Sequence, residues 1–71
     1  MKLYASAVIG KEVLNAADPI NLLENMVLVT MCAVTALTEK SATDIRVDYA
    51  GRGENGGYLL RLVGERADNV K

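Results

Sequence analysis

The sequence predicts a single α+β domain in the order strand, helix, strand, strand: one buried central helix packed on a small three-stranded sheet, completed by self-association. Three observations lead there. Asp18-Pro19 opens a long stretch whose apolar side chains would fall on every side of a helix. Between Ile45 and Val63 two runs show the alternation of half-buried strands on either side of a glycine-rich connection. The chain has 71 residues, 51% of them apolar and only three aromatic, which leaves too little sequence to cover such a helix from within.

The first strand is expected over Leu3 to Ile9, where Leu3, Ala5, Ala7 and Ile9 fall on one side and Tyr4, Ser6 and Val8 on the other. Gly10 marks its end, and the polar stretch from Lys11 to Ala17 suits a helical turn or two. Asp18 is a good N-cap and Pro19 a good first helical residue, because an aspartate oxygen accepts an orphan backbone N–H while proline lacks one that would go unpaired. The helix is expected to run to about Ser41, with Glu24 near its positive end and Lys40 near its negative one. From Asn25 to Thr38 it carries no charge, so the sequence reads as a helix buried all round. Ile45, Val47 and Tyr49 then alternate with Arg46 and Asp48, and Tyr58, Leu60 and Leu62 with Leu59, Arg61 and Val63. Four of the seven residues from Gly51 to Gly57 are glycine, which favours a hairpin with a loose loop. A right-handed crossover would set the first strand parallel to a neighbour. The domain is drawn over 1–64, with a polar, frayed tail over 65–71.

A domain of this size removes only about 60% of the unfolded chain's surface on folding, so a further source of stability is expected. Disulfides within the chain are excluded by its one cysteine, Cys32, and a structural zinc site is disfavoured by one cysteine and no histidine. Self-association remains. Eight basic against nine acidic residues, with no basic block, disfavours nucleic acid. The apolar opening stops at Gly10-Lys11-Glu12, too soon for a signal peptide, and the uncharged part of the helix is short of the roughly 20 residues that cross a bilayer. No membrane is expected, and the location is read as cytoplasmic.

No catalytic constellation stands out. Cys32, without a base, reads as core. Asp44 and Asp48 read as a turn residue and a cross-strand partner for Arg61 or Arg46. The order of elements is shared with several small oligomeric proteins, the flavin-binding dodecins among them, as topology alone: there is no tryptophan to stack a flavin, and no cofactor is expected. The candidate contact residues are Arg46 and Arg61 on the outer sheet face, beside Tyr4 and Ser6, and Arg52, Glu54 and Asn55 in the glycine-rich loop. The outward stripe of the helix, with Met26, Val27 and Val34, is the candidate oligomer seam. These features suggest a non-enzymatic homo-oligomer, a dimer first, that presents its sheet face and loop to a protein partner as an inhibitor or adaptor. The alternative is an oligomeric binder of an anionic metabolite or nucleotide near the loop, where glycine N–H groups and Arg52 would meet the anion.

Overall fold

The computed structural model describes residues 1–16 and 18–67. Its elements are β1 (Lys2–Ile9), α1 (Lys11–Ala16), α2 (Pro19–Glu39), β2 (Thr43–Arg52) and β3 (Tyr58–Glu65). The chemistry at Asp18-Pro19 starts α2 as expected: Asp18 is extended, and its Oδ1 accepts the amide of Asn21 at 2.8 Å. At the other end the chain leaves through two nested bonds, Ser41 N–H to the Thr38 carbonyl at 2.9 Å and Ala42 N–H to the Leu37 carbonyl at 3.0 Å. This is a Schellman closure, and Ser41 occupies its left-handed position with φ 65°, where glycine is usual. Its apolar contact is present too, since Leu37 and Ala42 share the core. The hydroxyls of Thr30 and Thr38 donate to the carbonyls of Met26 and Val34, four residues back, so this apolar helix satisfies them internally.

The sheet has the order β1-β3-β2, and both pairings are antiparallel. This corrects the expectation of a parallel neighbour for the first strand. β3 lies between β1 and β2, so those two share a direction without touching, and β1 instead runs against β3 from Lys2↔Glu65 to Ile9↔Tyr58. The connection between β2 and β3 is also tighter than expected. Gly51 and Arg52 belong to β2, and the turn closes with Gly53 N–H to the Gly57 carbonyl at 2.8 Å and Gly56 N–H to the Gly53 carbonyl at 3.1 Å. Gly56, at φ 81°, takes the left-handed position that such a three-residue hairpin loop requires. β3 includes Glu65, and Arg66 donates its amide to the Met1 carbonyl; residues 68–71 of the expected tail lie outside the described residues.

Ala33, Leu37, Ala42, Leu60 and Leu62 form the core, with Leu3, Ala5, Ile45 and Tyr58 packed around them. α2 rests mainly on β1 and β3 and barely meets β2. The helix expected to be buried all round is mostly exposed: Ala33 and Leu37 are its buried residues, whereas Ile20 is 67%, Leu28 60% and Met31 59% exposed. Geometry explains this. One helix shows one side to one sheet, and 21 residues span about 31 Å at 1.5 Å each, longer than the roughly 26 Å of an eight-residue strand. The molecule is accordingly a slab, 47 × 22 × 13 Å. Cys32, expected in the core, is exposed.

Candidate functional site

The residues singled out in the sequence fall on three separate surfaces. The first is the outer face of the sheet, away from α2. Side chains of directly paired residues share a face, so the pairings Tyr4↔Val63↔Arg46 and Ser6↔Arg61↔Tyr49 set two rows across all three strands. The expected grouping of Tyr4, Ser6, Arg46 and Arg61 is therefore formed. Arg61 Nε donates to Asp48 Oδ2 at 2.7 Å, and Tyr4, 51% exposed, borders the same shallow hollow.

Tyr49 joins this face, which alternation had assigned to the core side. The cause is a register shift between Val47 and Tyr49, where β2 carries one residue more than β3 opposes. Such a bulge turns the following side chain over. Tyr49 lies across Gly51, where an added Cβ would sit 3.1 Å from its hydroxyl, and that hydroxyl donates to the Arg52 carbonyl at 3.0 Å. The outer face thus carries two tyrosines flanking an arginine on a rigid sheet.

The second surface is an open cleft of about 810 Å³ between the hairpin turn and the start of α1. Lys11, Glu12, Glu54 and Asn55 supply its polar groups, with Val8 and Leu59 at its floor. Its shape depends on Gly57, because a Cβ there would run into the Ile9 carbonyl and crowd the amide of Lys11. Arg52 is not among its lining residues; its pairing with Tyr58 sets it on the opposite side of the sheet from Arg46 and Arg61. The five contact residues thus divide among three places: Arg46 and Arg61 on the outer face, Glu54 and Asn55 in the cleft, and Arg52 on the opposite side of the sheet. No group of His, Cys, Asp and Glu suited to a metal ion occurs among the described residues.

The third surface is the exposed length of α2. Val27 is 49% and Val34 37% exposed, but Met26 is half-buried on the side that faces the sheet, so the proposed seam residues occupy two sides of the helix. By length and composition α2 is also apolar enough to cross a membrane. The uncharged stretch from Asn25 to Thr38 is only part of it, and Ile20, Leu22 and Leu23 in the first turns add to its apolar length. Compared with protein-family models, curated proteins and solved structures, the chain matches none.

Proposed function

We propose that the protein is a non-enzymatic interaction module that assembles with itself through α2 and presents its outer sheet face to a protein partner. The observation that carries this reading is the bare apolar length of α2, from Ile20 through Leu23, Val27, Leu28 and Met31 to Val34. A contiguous apolar surface of this kind is unusual on a soluble monomer and marks an interaction site. The outer face supplies residue types enriched at hot spots, Tyr4, Tyr49 and Arg61, with Arg46 alongside and Asp48 holding Arg61 in place.

A bilayer is the competing cover for the same helix, favoured by its length and composition. Spanning would pull Ala33 and Leu37 off the sheet or carry open strand edges into hydrocarbon, where unpaired backbone groups are very costly. Light scattering over a concentration series tests the two together. A mass that is a stable multiple of 7.6 kDa, with no co-flotation with phosphatidylcholine vesicles, is the expected result. A monomer, or a chain that floats with the vesicles, overturns the reading. For the partner face, replacing Arg46 and Arg61 together should abolish capture of a partner by the intact oligomer; unchanged capture removes that face from the proposal. The small-ligand alternative rests on the cleft beside the glycine-rich turn, with Lys11 as its cation. A melting shift with nucleotides or inorganic phosphate that disappears in Lys11→Ala would establish it.

A further inference from the structure

The exposed apolar residues of α2 are not spread evenly. At about 100° per residue, Leu23, Val27, Thr30 and Val34 share one flank, roughly a quarter turn from the docked Ala33 and Leu37. Ile20, Leu28 and Met31 lie further round, on the side away from the sheet, with Glu24 and Thr35 among them, and the opposite flank carries Asn21, Asn25 and Glu39 together with Cys32 and Ala36. β1 and β2 run in the same direction with α2 crossing between them. Given the right-handed hand that such crossovers take, the flank of Val27 and Val34 overhangs β2 and not the free edge of β1.

β2 has an uncovered inner face in that place. Val47 and Ala50 pair with the buried Leu62 and Leu60 and so share their face, yet Val47 is 59% exposed and Ala50 is exposed too. Helix flank and strand together make an apolar trough with a wall and a floor. The missing area has a size. A compact folded chain of 7.6 kDa exposes about 4,300 Å², whereas this one exposes 5161 Å². The excess of roughly 900 Å², taken over the whole chain, is of the order of the approximately 800 Å² that each partner contributes to a standard interface.

We infer that the occupant of this trough is α2 of a second copy, laid antiparallel beside the first across a twofold axis. Each helix then meets its own sheet on one side, the other helix on its apolar flank, and the partner's β2 on its far side. The flank of Asn21, Asn25, Cys32 and Glu39 remains in water. This rests on the self-association proposed above and specifies its geometry. A helix of the same chain is favoured over a foreign one because a twofold seats both troughs at once, and the apolar flank of one helix is itself the complement that the other lacks.

Antiparallel seating about the middle of the flank sets Leu23 against Val34 of the partner subunit. In full-length chains with Cys32→Ala, the pair L23C and V34C should close into covalent dimers under mild oxidation. Closure should be about tenfold faster than for N21C with E39C on the opposite flank, because a disulfide needs Cα atoms within about 7 Å. Val47→Lys, at a site open in the single chain, should return the mass to 7.6 kDa with the helical circular-dichroism signal retained. A dimeric mass with no faster closure of L23C and V34C, or one that survives Val47→Lys, overturns this seam and leaves self-association standing. A monomeric mass of the unsubstituted chain overturns both.

Discussion

Two leucines on the same helix separate what one chain holds together from what the proposed second chain would cover. Leu37 is the one fully buried large side chain among the described residues, at 0% exposure, while Leu28 is 60% exposed. Leu37→Ala removes the contact that pins α2 to Leu60 and Leu62, together with the apolar closure of the helix end against Ala42. Buried leucine truncations cost about 3 to 5 kcal/mol, against a total of roughly 4 to 11 kcal/mol for a domain of 71 residues. At about 4 to 8 °C per kcal/mol the melting point should fall by at least about 12 °C. Leu28→Ala should behave differently. In an isolated chain it changes stability by less than about 0.5 kcal/mol, and alanine is the slightly better helix former. Covered by a second chain, the exposed part of Leu28 is worth about 1 to 2 kcal/mol per protomer, so a twofold interface loses about 2 to 4 kcal/mol and its Kd weakens roughly 30- to 700-fold. Dilution series by light scattering, with melting followed at two concentrations, read both effects. An unchanged dissociation constant in Leu28→Ala refutes the covering of α2. A loss below about 1 kcal/mol in Leu37→Ala refutes its docking on the sheet.

Asp18→Ala removes the acceptor for the Asn21 amide and should cost about 0.5 to 2 kcal/mol in urea unfolding, with Asp18→Asn recovering most of it. Gly57→Ala drives a methyl group into the Ile9 carbonyl, and Gly64→Ala places one 2.8 Å from the Ala42 methyl. Both should destabilise the fold by about 1 to 3 kcal/mol each, the usual cost of an overpacked site, read as a lower melting point. Asp48→Asn breaks the ion pair with Arg61, whose side chain is 44% exposed; the loss should stay below about 1 kcal/mol and vanish in high salt, whereas any effect on partner capture should persist.

How much could be read in advance followed the range of the interactions involved. The start of α2 was legible because its signal is local: a carboxylate, a proline and the amide of Asn21 lie within one turn. The strands were legible from alternation, and Tyr4, Ser6, Arg46 and Arg61 do share a face. The order of the strands was not, since it depends on β3 pairing across the chain with both its neighbours. Tyr49 was misplaced because a bulge adds one residue to a two-residue period, and nothing in Asp48-Tyr49 distinguishes that from regular strand. The all-round apolarity of α2 was read correctly as composition. Its burial was misread, since a single sheet covers one side of α2 and leaves the rest exposed.

The same geometry explains why the helix sits off centre. On β1 the residues facing α2 include Ala5 and Ala7, and the helix answers with Ala33, so backbones approach most closely on that side of the sheet. β3, carrying Leu60 and Leu62, supplies the bulk beneath the docked helix, and Gly64 lets Ala42 and Ile45 close over its end. Small residues on one edge therefore draw α2 toward β1, and the consequence falls on the other edge, where Val47 is left without a cover. Enlarging the helix side of β2 could not repair this from within the chain, because no further element remains to lie over it among the described residues. An uncovered floor beside an apolar wall is thus a direct result of how this sheet seats the long helix α2.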